Sequence, residues 1–536
     1  MSGTARWTTA VILGALMLGH PGRAEARPFG AGLQASRPDL APAAVLQQIN
    51  ALLGREDFAG ARTALAAALS DHPRDPALHN LAGVADAENH AFVSAESHFL
   101  TAIRIAPREG AAYENLGRLY QERSAEDPSA QAKALDTYRR LLAVQPANAE
   151  GLYQSGFLLT LDGEFADARA RLERLPADLR HQPNIQAVLA VDLAGTGDAG
   201  GAAAAVQALI ADPGLSAPDI LAVMPAFPHL KDDEVPRLLL EGLDRRGLAT
   251  AEALQALAGI AMRQSRFRDA RAALERAVAR GGPRAPVLID LARAADKLGD
   301  HEGALGYLAH ARDLEPSNPT VHFLFGIVCV ELNLGSEAYE SLKKAVALAP
   351  DNALVNYAMG AVSMFRHEPS ESLPYFEKYI ALAPADPRGR FALGVARFHS
   401  GQFDAAAADL REAVRSPQTA AGAHYFLGRI ARQANDLETA RREVSAALAL
   451  YAQYAEAWAE LGLIQARSGD YAESQRSLDR AVAIDPDNYA AAVNLAMLYG
   501  RTKDPRQEAQ AARLEALQAK RAAQAQEFLR IIEVVR

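Results

Sequence analysis

The chain has 536 residues and a net charge of −9; 49% of its residues are hydrophobic, 23% charged and only 6% aromatic. That is the composition of a globular protein with ample apolar residue for a core, and an alanine-rich, aromatic-poor chain favours closely packed helices over a β-sandwich. The acidic balance, with no local run of Lys and Arg, excludes bulk nucleic-acid binding, and the single cysteine, Cys329, excludes an intramolecular disulfide or a cysteine-based zinc site.

In chain order, residues 1–26 read as a secretory signal. Arg6 precedes a largely apolar stretch from Thr8 to Leu18, His20, Pro21 and Gly22 break it, and Ala24-Glu25-Ala26 offers small residues for cleavage. The stretch is short for a bilayer span, so an uncleaved anchor is the weaker alternative. The expected location is the periplasm or the exterior, with no membrane span in the mature chain. Residues 27–41 read as a linker.

From residue 42 one pattern recurs with a period of 34. In the segment 455–488, Trp458, Leu461 and Gly462 share a helical face, Gly469-Asp470-Tyr471 is a turn followed by a packing aromatic, Leu478 and Ala481 mark a second helix, and Pro486 ends it. Gly326, Gly360, Gly394, Gly428 and Gly462 mark the eighth position of five consecutive units; Pro316, Pro350 and Pro384 recur at the same period, as do Pro73 and Pro107 upstream. A small residue at position eight lets two helices approach closely, and a proline late in the unit cannot continue a helix and so starts the next hairpin. The weakest unit is 183–215, where Gly195, Gly197, Gly200 and Gly201 crowd the turn. Residues 216–250 fit no unit, since Pro218, Pro225, Pro228 and Pro236 limit helix length; the expectation is a degenerate helical pair, or a hinge dividing two lobes. In the unit 353–386, Pro374 is expected in the first turn of a helix starting near Ser370.

This pattern resembles the tetratricopeptide repeat. The resemblance implies an all-α fold, a solenoid of about thirteen helical hairpins coiling as a right-handed superhelix, with an N-terminal array at 42–215, a connector at 216–250, a C-terminal array at 251–504 and a capping helix at 505–536. It further implies that positions two, five, nine and twelve of each first helix line a groove. Those positions carry Phe323, Ile327 and Val330, then Leu354, Tyr357, Ala361 and Met364, then Arg388, Phe391, Val395 and Phe398, and then Tyr425, Arg429 and Arg432. The expectation is an apolar, aromatic stripe ending in arginines, fit for an apolar helix or extended peptide bearing acidic groups, or else packed internally. Upstream, Glu114, Arg118 and Gln121 read as an ordinary polar surface, and Tyr153 and Phe157 as a smaller apolar spot. The Lys and Asn set of the two-carboxylate clamp of chaperone-binding members is not found.

No catalytic or phosphate-binding motif is present, so an enzyme, a cofactor and a metal are not expected; His79, His90 and His98 lie near one turn and read as surface or packing residues. At the end of the chain Phe528, Ile531, Ile532 and Val535 recur at helical spacing, as a face that folds back or docks a partner or second copy. The function these readings predict is a non-catalytic scaffold of the cell envelope that binds protein or peptide partners in its groove. The alternatives are a structural component that dimerises through the C-terminal helix, and a subunit of an envelope polysaccharide or protein export assembly.

Overall fold

A computed structural model describes residues 40–522. The signal and most of the linker expected at 1–41, and the C-terminal face formed by Phe528, Ile531, Ile532 and Val535, lie outside the described residues. The described chain is all-α, a solenoid of antiparallel hairpins, each packed on the next. It falls into two compact units, residues 1–264 and 265–536.

In the first unit the hairpins are Ala43–Gly54 with Phe58–Asp71, Pro76–Glu88 with Phe92–Ile105, Ala111–Glu122 with Ala130–Val144, Ala149–Leu161 with Phe165–Leu172, and Pro183–Gly195 with Ala199–Ala211. The next repeat has its first helix broken into Ala217–Leu221 and a 3-10 turn at Met224–His229, followed by an intact Glu234–Arg245; Ala251–Arg263 closes the unit. The second unit begins with Phe267–Gly281. Its hairpins are Ala285–Lys297 with His301–Leu314, Pro319–Glu331 with Gly335–Leu348, Ala353–Phe365 with Pro369–Leu382, Pro387–His399 with Phe403–Ala413, Ala420–Gln433 with Leu437–Leu450, and Ala455–Ser468 with Tyr471–Ile484. Tyr489–Thr502 then pairs with Gln507–Ala522, the cap expected from about Arg506; Gln510 Nε2 donates to the Ala492 carbonyl at 2.9 Å.

Local devices recur from hairpin to hairpin. Several first helices are capped by an Asp or Asn just before their first turn: Asp75 accepts from the backbone of Ala77 and Leu78, and Asn148, Asn352, Asp386 and Asn488 do likewise. Second helices are capped by Asp57, Asp198, Asp300 and Asp436. Between the two helices, the same position of the repeat takes a left-handed backbone. It is Gly163, Gly197, Gly299, Gly401 and Gly469 in some hairpins, but Glu56, His90, Asn333, His367 and Asn435 in others. A Cβ in that conformation costs roughly 1–2 kcal/mol, so the tertiary fold and not local preference dictates the turn. The expectation for Pro374 is corrected: Pro369 already occupies the first turn, so Pro374 lies inside the helix, where it has no N–H to offer the preceding turn.

The core sits where the two helices of a hairpin meet. A Cβ at Gly117 would stand 2.4 Å from the ring of Tyr138, at Gly360 2.7 Å from Phe376, and at Gly462 2.6 Å from Leu478. Tyr138, Phe376 and Leu478 are fully buried. In the 183–215 unit, a Cβ at Gly195 would lie 2.0 Å from the Phe165 ring, so one glycine that crowds the turn is required by close packing.

Two substitutions separate packing from helix propensity. Gly306→Ala, mid-helix and facing open space, should raise unfolding stability by about 0.5–1 kcal/mol, whereas Gly117→Ala should lower it by about 1–3 kcal/mol through overpacking against Tyr138. Urea unfolding followed by helical circular dichroism measures both, with opposite signs expected.

Candidate protein-interaction face

The residues expected to line a groove all lie on first helices of the second unit. Their side chains are brought together along one seam, but most of their surface is spent on one another. Ile327, Val330, Tyr357, Met364, Val395, Phe398 and Tyr425 are buried, none more than 8% exposed. At these positions the side chains are packed internally, as the second of the two expectations had it. The physical reason is that each first helix packs on the second helix of its own hairpin and, along its edge, on the next first helix. Tyr357 stands 4.9 Å from the Tyr379 ring and 5.6 Å from Phe376, and Phe398 stands 5.3 Å from Phe426 and 5.7 Å from Phe403. Phe323 and Phe391 are half-buried; Phe391 lies over Gly422, where a Cβ would come within 2.7 Å of its ring. Leu354 remains 41% exposed.

The three arginines differ. Arg388 is committed to the aspartate that caps its own helix: its Nε donates to Asp386 Oδ1 at 2.9 Å, and this pairing holds the Asp386 carboxyl well below the usual carboxylate range. Arg432 is paired with the buried Glu460. Arg429 instead lies against aromatic rings, its guanidinium carbon 4.7 Å from the centroid of Phe398, 5.5 Å from Tyr425 and 5.4 Å from Phe426. Each such contact is worth ~0.5–2 kcal/mol, depending on desolvation. Among the described residues no carboxylate stands within ion-pair distance of Arg429, and its Nε is buried without a hydrogen-bond partner. Burial, with Arg429 adding to it, pushes the neighbouring His399 down to about 4, so that imidazole adds no charge at neutral pH. Burial also pushes the Tyr425 phenol up to about 12. What results is a half-exposed cation held rigidly in an apolar collar.

The first unit presents a different face. The polar residues Glu114, Arg118 and Gln121 are not loose surface; they form a ladder that ties each first helix to the next. Asn115 donates to Asn80 at 3.0 Å, Asn148 to Glu114 at 2.8 Å, and Gln121 to Gln154 at 2.9 Å, while Arg118 stands 3.5 Å from Glu150. Farther along, Thr160 donates to Asp192 Oδ1 at 2.7 Å. Sequence reading missed this ladder; its signal is the recurrence of Asn, Gln, Glu and Asp about one repeat apart. The histidines near one turn also find partners: His79 Nδ1 and His98 Nδ1 are 3.0 Å apart, and His79 Nε2 reaches the Pro73 carbonyl at 3.0 Å. The same cross-hairpin spacing joins Arg390 to Asp409 and His424 to Glu443. Cys329 is buried, its thiol pushed up to about 12 by burial. Among the described residues no group of three or more His, Cys, Asp or Glu is placed to hold a metal, and no helix is long and apolar enough to cross a membrane.

Models of the tetratricopeptide repeat match residues 46–125, 289–353, 357–421, 400–457 and 455–488, half of the chain in all, and the chain belongs to that family. No curated protein matches it. Solved structures to which it is similar include residues 41-end of MamA from Desulfovibrio magneticus RS-1, at 25% identity, covering 32% of this chain and 96% of that one with a TM-score of 0.30. The APC/C hetero-tetramer Cut9-Hcn1 is similar at 13% identity over 86% of this chain and 99% of that one, with a TM-score of 0.39. Yeast Tom70 is similar at 17% identity over 85% and 94%, with a TM-score of 0.37. Within this family the chain is a repeat scaffold for protein–protein interaction.

Two outcomes test the geometry. Phe398→Ala should cost about 3–5 kcal/mol as a core truncation, and the half-exposed Phe391→Ala markedly less, read as shifts in urea midpoint. Asp192 is fully buried with Oδ2 unpartnered, and burial pushes its carboxyl up to about 8. An unfolded aspartate titrates near ~3.9, so between that pH and about 8 the folded chain holds a proton that the unfolded chain has released. Stability from this site is thus greatest in acid and falls as pH rises through that window. Asp192→Asn should remove the slope: the two proteins differ least near pH 4, and the variant is the more stable at pH 9.

Proposed function

We propose that the chain is a non-catalytic scaffold of the cell envelope whose first-helix face, in the second unit, holds a protein segment that presents a carboxylate. The observation that carries this is Arg429, a half-exposed cation collared by Phe398, Tyr425 and Phe426, while its neighbours Arg388 and Arg432 already have carboxylate partners. An anion arriving there meets an oriented guanidinium whose rotamer is already fixed, so little side-chain entropy is lost on binding. Phe391, whose ring stands 6.2 Å from Phe426, provides adjoining half-buried apolar surface. Because the rest of the seam is buried, the apolar contribution is small, and micromolar affinity is the reading consistent with it. The signal pattern in residues 1–26 supports the envelope setting, with export or assembly machinery as the surroundings in which such scaffolds work.

The test uses residues 27–536 as bait for cell-envelope extract, beside Arg429→Gln, Phe391→Ala and, as a surface control, Arg415→Gln, whose side chain is 76% exposed. A partner held by the natural chain and the control should bind Arg429→Gln about tenfold or more weakly, the loss of one charge-assisted contact of ~1.5–3 kcal/mol, and binding should weaken with salt. Equal retention by all four proteins would remove the first-helix face as the binding surface. Phe398 and Tyr357 are unsuited to this test, because truncating buried residues perturbs the fold itself.

A further inference from the structure

The broken repeat at 217–250 does something that no intact repeat of the first unit does. In a regular repeat the first helix packs against the first helices of its two neighbours. Here Pro225 removes the N–H that would bond Leu221, and Pro228 the one that would bond Met224, so the helix stops at Leu221 and the chain continues as the 3-10 turn Met224–His229. That turn reaches past the adjacent Pro183–Gly195 and packs also on Ala149–Leu161, two repeats back. At its far end the His229 ring lies against Gly163, where a Cβ would be 3.1 Å away; the glycine is left-handed there, at φ 80°. At its near end the Asp219 carboxylate closes the turn onto itself, accepting from the Ser216 backbone N–H at 2.8 Å and the Ser216 hydroxyl at 2.7 Å. The strap points Ile220, Val223 and Ala226, spaced by three, into the molecule, all fully buried, and leaves Pro218, Pro225 and Pro228 exposed. The apolar spot at Tyr153 and Phe157 thus borders a segment of the chain itself.

We infer that the face formed by Ala149–Leu161 and Pro183–Gly195 is a docking surface for an apolar, proline-containing segment, and that residues 217–230 occupy it as an intramolecular ligand. The strap's sequence gives the chemistry of an outside partner: small and branched apolar side chains at every third position, and prolines facing solvent. Such a partner binds by displacing the strap, so the first unit's face is closed until a competitor of this kind is present. This site is separate from Arg429, and its test is independent of that reading.

The experiment uses the full mature chain and a fluorescein-labelled peptide of residues 216–230. Pro225→Ala/Pro228→Ala restores the two missing N–H groups at exposed positions, allowing one straight helix that packs only on its neighbour. The peptide should bind this variant at least tenfold more tightly than the natural chain, and Phe157→Ala in the variant background should reverse the gain. Hydrogen exchange of the natural chain supplies a second reading that needs no variant: amides of 217–230 should exchange well ahead of those in 183–195 and 234–245. Failure of the peptide to bind a folded variant whose 149–161 amides have become exposed would overturn the proposal. Exchange of the strap in step with its flanking helices would also overturn it, because the segment would then be an inseparable part of the repeat.

Discussion

The structure depends on how closely the two helices of a hairpin can approach. Where Gly83, Gly117, Gly326, Gly360, Gly394, Gly428 and Gly462 sit, a Cβ would come to between 2.4 and 2.8 Å of a core side chain of the partner helix. Removing the Cβ lets one large residue of the second helix, such as Phe99, Tyr138 or Phe376, be driven against the backbone of the first and fully excluded from water. Each such ring or Leu contributes roughly 1.5–3 kcal/mol of burial, and the gain is local to the hairpin and its neighbours. Stability is therefore distributed along the chain, which is why one repeat can lose its first helix at Pro225 and Pro228 without the flanking hairpins losing their cores.

That constraint also explains where polarity appears. Hairpins held at this distance bring successive first helices into side-chain contact, and the repeat period places like positions opposite each other. Two solutions to that juxtaposition coexist. The first unit joins its helices with hydrogen-bonded side chains, Asn80 to Asn115, Glu114 to Asn148, Gln121 to Gln154 and Thr160 to Asp192. The second unit uses rings there, Phe398 of one first helix against Phe426 of the next. The polar ladder leaves two buried acceptors, Glu150 Oε2 and Asp192 Oδ2, without a hydrogen-bond partner, and burial raises both carboxyls above their ordinary range. The aromatic seam has no such cost but leaves a cation, Arg429, embedded beside it.

Much of this fold was legible in the sequence because its determinants are small residues and breakers, whose meaning is backbone geometry. Gly at position eight and the recurrent Pro late in the unit read directly as close approach and termination. The left-handed turn was legible only where glycine marks it; at Glu56, His90 and His367 the chain carries ordinary residues, and only the packing of the finished hairpin forces the conformation. The candidate site was less legible. The positions on that face can be counted from the sequence, but whether Tyr357 or Phe398 meets solvent or another ring depends on the size of residues on the partner helix, such as Tyr379, and on the next first helix, such as Phe426. The difference between Arg388, Arg432 and Arg429 rests on the same kind of fact: an Asp two residues before the first, a Glu 28 residues after the second, and rings around the third.

Burial on the first-helix face changes what a binding surface in this chain can be. A wide apolar groove would recognise partners by area and hold many of them weakly. Here the second unit has already covered its rings, and what it leaves half-exposed is a single oriented charge with two phenylalanines, Phe323 and Phe391, on the same run of first helices. Recognition by such a face is set by where one anion can be placed, because the guanidinium cannot follow a ligand that arrives out of register without leaving its aromatic collar. The first unit, in contrast, offers no free cation on its ladder: Arg118 is held beside Glu150, and the apolar surface beyond it is bordered by the strap at 217–230. The two proposed faces would therefore select on different physical grounds, charge position in one and displacement of a resident segment in the other. A partner that satisfied one would have no reason to satisfy the other, and such a division of chemistry, more than the number of repeats, is what a scaffold requires to hold two unlike segments on one chain.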